Sequence, residues 1–316
     1  MNLKVFATYK LPGNPGALFG KEGISFSENL LPRLLRTEEL IEQAAEADGI
    51  ISLLGDKIDA DVINKLKKCR VIANYAVGFN NIDLNAARER GITVTNTPDV
   101  LSAATAEIAF LLILAAARNL NAGEKMMRNK VFLGWSPELL LGYGLEGKTL
   151  GLVGAGRIAQ KVAKMALGFG MNIIYFSRSV KPEMPGRFVP LSELMATSDV
   201  ISLHIPLDET TNNLISADLL DLMKPSAIFV NTARGEVADE KHLIALLKKR
   251  KIYAAGLDVY TNEPNFNHAL TTLDNVVLLP HIGSATFETR TAMAHLAANN
   301  VISVLKGGEP ITPVAS

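Results

Sequence analysis

The chain is poor in cysteine and carries no surplus of either charge. Its 316 residues hold a single cysteine, Cys69, which excludes an intramolecular disulfide framework and any cluster built on several thiolates; a small core residue in a reducing compartment is the expected role. Lys and Arg together number 32, as do Asp and Glu. No basic excess exists to neutralise a phosphate backbone or an anionic membrane face, so no nucleic acid and no membrane partner is expected. The most lipid-like stretch, Leu101 to Ala117, contains Thr105 and Glu107. It is shorter than the roughly 20 apolar residues a spanning helix needs, and it reads as a buried helix. The opening MNLKVFATYK has no apolar region of signal-peptide length; Leu3 to Ala7 reads as a first buried strand, and a cytoplasmic protein is expected. No internal repeat, low-complexity run or metal-binding cluster is visible.

What is present is a globular composition, 48% hydrophobic and 20% charged, at a length that suggests about two domains of roughly 150 residues each. Short apolar runs alternate with amphipathic helical patterns. Strands are expected near 3–8, 50–54, 71–74 and 93–95, with helices near 37–47, 60–68 and 84–90. The pattern restarts after Gly147, with strands near 149–153, 173–176, 200–203, 228–231, 253–257 and 276–279. Such alternation predicts an α/β fold of parallel sheets covered by helices, in two domains. Between them lie the apolar helix from Leu101, a polar stretch with Lys125, Arg128 and Lys130, and the Gly/Pro-rich FLGWSPELLLGYG. This segment suits an inter-domain helix followed by an oligomer arm. A final helix near 286–305 offers a second crossing back to the first domain.

Gly142 to Thr149 matches the G-x-x-x-x-G-K-[ST] pattern of nucleoside triphosphatases. That chemistry needs the loop to follow a strand and open a helix; here Lys148-Thr149 runs directly into the strand LGLVG, and the match is rejected. Seven residues past Gly147, Gly154-Ala155-Gly156-Arg157-Ile158-Ala159 has the G-x-G-x-x-G/A spacing after a strand and before a helical run, 157–167. Gly154 permits the tight turn, Gly156 lets a pyrophosphate approach the backbone, and Ala159 allows close helix–strand packing. Dinucleotide binding is the expected role, against a merely glycine-lined turn. The next strand ends in Ser177-Arg178-Ser179, where a dinucleotide fold usually carries the acid that binds the ribose 2′-OH. A hydroxyl beside an arginine removes repulsion toward a 2′-phosphate and supplies a bidentate cation, so NADP(H) is favoured and NAD(H) remains possible. The alternative is that Arg178 is only a solvated loop charge.

Among five histidines, His242 and His295 fall in helical patterns that suit surface or packing roles, and His268 lies in a polar loop. His204 and His281 each follow a strand, and ligands of open parallel sheets sit beyond the strands' carboxyl ends. Arg234, beside Ala233 in NTARGEVADE, and Glu263, in the turn TNEP, are also strand-end residues. Reduction of a 2-oxo acid needs a cation for the carboxylate, a proton donor for the carbonyl oxygen and a group that keeps the donor protonated; a carboxylate beside an imidazole favours its protonated form. Arg234, His281 and Glu263 supply one of each. An ordinary surface ion pair or three unrelated loop residues is the bland alternative.

The sequence resembles the D-isomer-specific 2-hydroxyacid dehydrogenases, and within them the glyoxylate/hydroxypyruvate reductases. The resemblance runs through YAVGFNNID (75–83), NTPDVLSAATAEIAF (96–110), GKTLGLVGAGRIAQ (147–160), LHIPLDETT (203–211), NTARGEVADE (231–240), GLDVYTNEP (256–264) and LPHIGSAT (279–286). It implies that Arg234, Glu263 and His281 are the catalytic set, that backbone N–H groups of Val77 and Gly78 hold the substrate carboxylate, and that Asp258 contacts the nicotinamide carboxamide. Further implied cofactor contacts are Thr105, Arg157, Ile158, Pro206, Thr211, Thr232 and Gly283, alongside Gly154, Gly156, Ser177, Arg178, His204 and Ala233. The family's architecture implies a substrate domain of 1–99 and 285–316 with an NAD(P)-binding Rossmann domain of 100–284 inserted, and a homodimer built through about 101–145. Trp135 resembles a tryptophan that lines the reductases' substrate pocket, sometimes from the partner subunit; Leu53, Leu54 and Phe79 are further pocket candidates. Ala159 and Ser177 depart from the family pattern, the second putting NAD specificity in doubt. The expected function is NADPH-preferring reduction of glyoxylate or hydroxypyruvate, with the inter-domain cleft closing to exclude water. Alternatives are another 2-oxo acid, such as 2-ketogluconate or 3-phosphohydroxypyruvate, or a non-catalytic NAD(P)-sensing interaction protein.

Overall fold

The computed structural model describes residues 3–314. The chain divides into two units: one holds the chain up to Leu101 and again from Ser284, and the other runs Ser102–Gly283. The first contains β1 (Lys4–Ala7), α1 (Gly16–Lys21), β2 (Ser25–Glu28), α2 (Thr37–Ala44), β3 (Gly49–Ser52), α3 (Ala60–Lys65), β4 (Val71–Asn74), α4 (Leu84–Glu89) and β5 (Thr93–Thr95). The final helix, Phe287–Leu305, packs against β3 and β4, and the Thr286 hydroxyl caps it by accepting from the Thr289 N–H at 3.1 Å. Five parallel strands lie in the order β2-β1-β3-β4-β5, the flavodoxin-like arrangement, whose order reverses between β1 and β3. β3 (GIIS) and β4 (VIAN) are buried at every position, as expected of parallel strands covered on both faces.

The second unit contains α5 (Ser102–Ala117), α6 (Leu120–Arg128), β6 (Thr149–Val153), α7 (Arg157–Gly168), β7 (Asn172–Phe176), β8 (Arg187–Phe188), α8 (Leu191–Thr197), β9 (Val200–Leu203), α9 (Ala217–Leu220), β10 (Ile228–Asn231), α10 (Glu240–Lys248), β11 (Ala254–Leu257) and β12 (Val276–Leu278). Its seven parallel strands run β12-β11-β10-β9-β6-β7-β8, the Rossmann order extended by one strand, with its reversal between β6 and β9. Thr149 opens β6, so the triphosphatase-like glycines precede a strand, as their rejection required. α5 is apolar on most sides because it is a core helix, packed on α7, β10 and β11, with Glu107 at the surface. No single helix among the described residues is long and apolar enough to cross a membrane.

Two expectations change. The strand expected over 50–54 stops at Ser52, because Asp56 Oδ2 accepts the Leu53 N–H at 2.7 Å and turns the chain. The polar stretch after α5 is helical as far as Arg128, set off from α5 by Asn119 in the left-handed region at φ 52°. None of its residues is buried, so no buried apolar stripe announced it.

Candidate active site

At the reversal between β6 and β9, the chain leaves β6 through Gly154 at φ 109°. A Cβ there would stand 2.4 Å from the His204 carbonyl oxygen, so only glycine fits this turn. Gly156 is the N-cap of α7, with open space where a side chain would stand, and Ala159 is fully buried against the sheet. The turn therefore opens the amino terminus of a 12-residue helix to a pyrophosphate, where aligned peptide dipoles and terminal N–H groups favour anions. Arg157 and Ile158 are the first two residues of that helix. Beyond β7, the Ser177 hydroxyl donates to the Ser179 carbonyl at 2.5 Å, while Arg178 is exposed and makes no hydrogen bond or ion pair among the described residues. His204 follows β9. Part of the residue reaches the surface, yet burial pushes its imidazole down to about 3, and its Nε2 lies 2.9 Å from Ser202 Oγ. Thr211 is tied into its own loop, donating to the Pro206 carbonyl at 2.7 Å.

The charged cluster forms beyond β10, β11 and β12. Asn231, the last residue of β10, holds the following loop through its side chain: Nδ2 donates to the Arg234 carbonyl at 2.8 Å and Oδ1 accepts the Ala233 N–H at 2.9 Å. Gly235 lets this loop press against the chain after β11, where a Cβ would lie 2.1 Å from the Tyr260 carbonyl carbon. Burial pulls the Arg234 guanidinium below its ordinary pKa, against the opposing charges of Glu263 and Glu236; an arginine stays cationic through such a shift. Thr232 carries a buried hydroxyl with no partner among the described residues, a group that a bound ligand would satisfy.

Glu263 is fixed at both carboxylate oxygens. Oε1 accepts the Tyr260 N–H at 2.8 Å, and Oε2 lies 2.8 Å from His281 Nδ1. Burial alone would raise its pKa, but the hydrogen bond and charge of His281, the Tyr260 N–H and the charge of Arg234 together lower it. His281 adopts φ 54°, unusual for a residue with a side chain. The loop is held by Asp258, whose two oxygens accept the N–H groups of Ile282 and Gly283, each at 2.7 Å. Burial, first among its influences, raises the Asp258 pKa. A Cβ on Gly283 would touch both Asp258 and Thr105 of α5, so Thr105, Asp258 and Gly283 meet in one place. An imidazole locked at Nδ1 by a carboxylate, with a cation in the same cluster, is equipped to pass a proton through Nε2 to an anionic substrate.

The model of the D-isomer specific 2-hydroxyacid dehydrogenase NAD-binding domain matches residues 110–283. The chain belongs to the D-isomer-specific 2-hydroxyacid dehydrogenases. Glyoxylate reductase of Pyrococcus furiosus is 45% identical over 325 residues, spanning 99% of this chain and 96% of the relative. Among solved structures, a protein of Thermus thermophilus superposes with a TM-score of 0.93 at 44% identity, covering 99% of this chain and 100% of its own. An NADPH-dependent glyoxylate/hydroxypyruvate reductase of Sinorhizobium meliloti, in complex with NADP and malonate, does so at 0.89 and 31% identity, covering 100% and 97%. The dehydrogenase is thus an NAD(P)-dependent, glyoxylate reductase-like enzyme.

The other expected residues are placed each within its own unit. In the dehydrogenase's first unit, Leu53, Leu54, Val77, Gly78 and Phe79 occupy loops beyond β3 and β4 and are partly exposed. Trp135 is 82% exposed on a segment without regular structure that also bares Val131, Leu133 and Leu141. His242 pairs with Asp221 at 2.8 Å, and His295 Nε2 lies 2.7 Å from the Gly13 carbonyl. Three contributors escaped the sequence reading: Gly235, the strand-end amide of Asn231, and Glu240, which accepts the Thr261 N–H at 3.0 Å and so fixes the turn leading to Glu263. An apolar run that stops at Asn before a turn is the signal that would have found Asn231. Among the described residues no group of three His, Cys, Asp or Glu side chains forms a metal site.

Proposed function

We propose that this dehydrogenase reduces glyoxylate and hydroxypyruvate to glycolate and D-glycerate, with NADPH preferred over NADH. The observation that carries the reading is the 2.8 Å contact between His281 Nδ1 and Glu263 Oε2, formed beside the cationic Arg234. With Nδ1 engaged, His281 delivers its proton from Nε2 to the C2 oxygen, and the carbonyl becomes a hydroxyl. Glu263 engages Nδ1 and holds the ring's orientation before and after transfer. Substrate binding is assigned to the Arg234 cation, to the backbone N–H groups of Val77 and Gly78, and to the Leu53 and Trp135 side chains. Gly154, Gly156, Arg157 and Ile158 would hold the cofactor pyrophosphate, and Thr105, His204, Pro206, Thr211, Thr232, Ala233, Asp258 and Gly283 the remaining cofactor contacts. When bound, the reduced nicotinamide supplies the hydride that becomes the C2 hydrogen of the product. NADPH is favoured because Arg178, exposed and without a hydrogen-bond or ion-pair partner among the described residues, stands beside a neutral Ser177 and is placed to grip a 2′-phosphate. The S. meliloti neighbour's dependence on NADPH supports this assignment. Val131, Leu133, Trp135 and Leu141 expose apolar side chains on one arm, which supports a homodimer built through about 101–145.

The test is kcat/KM for glyoxylate, hydroxypyruvate, 2-ketogluconate and 3-phosphohydroxypyruvate, each with NADPH and with NADH. Glyoxylate or hydroxypyruvate is expected to lead, with an NADPH preference of about tenfold or more, equivalent to ~1.4 kcal/mol. Efficient use of 2-ketogluconate or phosphohydroxypyruvate alone would overturn the substrate assignment, and faster turnover with NADH would overturn the reading of Ser177-Arg178.

A further inference from the structure

In the first unit, the loop after β4 presents three consecutive backbone N–H groups, those of Val77, Gly78 and Phe79, that make no hydrogen bond with the described residues. The carbonyl sharing each of these peptide units is taken. Ala76 C=O accepts the Thr97 N–H at 2.8 Å, Val77 C=O accepts Asn96 Nδ2 at 2.8 Å, and Gly78 C=O accepts Asn74 Nδ2 at 2.7 Å. A trans peptide unit is planar, with its N–H directed opposite to its C=O. Anchoring three successive carbonyls therefore fixes three successive donors, each directed away from its carbonyl's anchor. The anchors are themselves held. Asn74 is fully buried at the end of β4, where its Oδ1 accepts Ser52 Oγ at 3.1 Å and its Nδ2 also donates to Asn81 Oδ1 at 3.1 Å. Asn81 in turn donates to the carbonyls of Leu53 and Asp56, each at 3.0 Å. Asp56 accepts the Leu53 N–H and the Thr8 hydroxyl, so loops beyond β1, β3 and β4 form one hydrogen-bonded frame. Asn96, just beyond β5, is held through its own backbone by Thr312, whose hydroxyl donates to the Asn96 carbonyl at 2.6 Å.

We propose that Asn96 and Asn74 are positioning residues for the substrate carboxylate: their side-chain amides lock two of the three peptide planes of a three-donor cradle, those that carry the Gly78 and Phe79 N–H groups, with the Phe79 N–H as its third donor. This rests on the reading that the enzyme reduces 2-oxo acids and that the loop after β4 receives their carboxylate. Neither amide touches the substrate; each acts through a carbonyl, so its loss weakens anion binding without removing a reacting group. Such a loss raises KM and leaves kcat nearly unchanged, because the carboxylate is bound alike in the ground and transition states.

The decisive variant is Asn96→Asp, which keeps the side chain's size but turns an oxygen toward the Val77 carbonyl in place of a donor. Asn96→Ala, which removes the anchor without adding charge, decides the matter if the first does not fold. Both are compared with wild type in KM and kcat for glyoxylate with NADPH, in the inhibition constant of oxalate as a non-reducible carboxylate, and in NADPH affinity. The expected result is a parallel rise of about tenfold or more in KM and in the oxalate constant, with kcat within about threefold and NADPH affinity unchanged. An unchanged oxalate constant in the variants, or a fall in kcat alone, would overturn the positioning role. A wild-type enzyme that binds NADPH but turns over no 2-oxo acid would instead contradict the function on which the proposal rests.

Discussion

Two parallel sheets in this chain end in loops of opposite chemistry. Beyond β10, β11 and β12 the second unit places ionisable side chains, Arg234, Glu263 and His281, and beyond β4 the first places backbone N–H groups whose carbonyls are tied down by asparagine amides. Both arrangements suit an anion, but they differ in what they can do with a proton. A peptide N–H has no pKa within reach, so it binds and orients only; an imidazole set on a carboxylate can give its proton away and take it back. One architecture, a parallel sheet with loops at the strands' carboxyl ends, thus yields a holder or a reactor according to whether the strand-end loops carry amides or ionisable side chains.

Breaking the reactor should cost most. His281→Ala is expected to lower kcat by about 10²–10⁴-fold, the usual contribution of a general acid, while NADPH and oxalate still bind; steady-state rates beside equilibrium titrations check this. Arg234→Ala follows, with a fall of about one to two orders of magnitude in kcat/KM for glyoxylate, the scale of one charge-assisted hydrogen bond. Arg178→Ala is expected to lower kcat/KM with NADPH by about tenfold and to leave NADH use unchanged, separating the cofactor's phosphate from the chemistry.

The last effect is read in stability and not in turnover. Burial moves the His204 imidazole from 6.5 to about 3 in the folded chain, so between those values the unfolded chain holds a proton that the folded chain does not. Stability therefore falls as pH drops from about 6.5 toward 3. His204→Gln is expected to flatten that decline, read as the melting temperature against pH, and an unaltered decline would show that His204 is not its source.

Much of this was legible in the sequence because it depends on local pattern. Apolar runs such as VIAN and IFVN read as buried strands at their true positions, and Gly154 with Gly156 reads as a phosphate turn because steric need for glycine is local. Arg234, Glu263 and His281 stood out as ionisable residues in the loops that follow strands. What stayed hidden depends on partners distant in sequence. Gly235 matters through a chain segment about 25 residues on, and the Asp258 hold on Ile282 and Gly283 closes a similar gap. β2 escaped because it is a half-exposed edge strand, and α6 because it buries nothing. The asparagines at 74, 96 and 231 share one trait that local reading undervalued: each ends or follows a strand, and each uses its amide to set the backbone of a nearby loop.

We propose above all that the side-chain cluster of the second unit reduces a 2-oxo acid, with His281 as the proton donor. A single-turnover experiment tests it most directly: enzyme loaded with stoichiometric NADPH is mixed with glyoxylate at neutral pH, and loss of the reduced nicotinamide absorbance is followed for wild type and for His281→Gln. Complete conversion by the wild type is expected, with NADPH in the variant still bound and unconverted over the same time. Conversion by the variant at the wild-type rate, or none by the wild type, would contradict it.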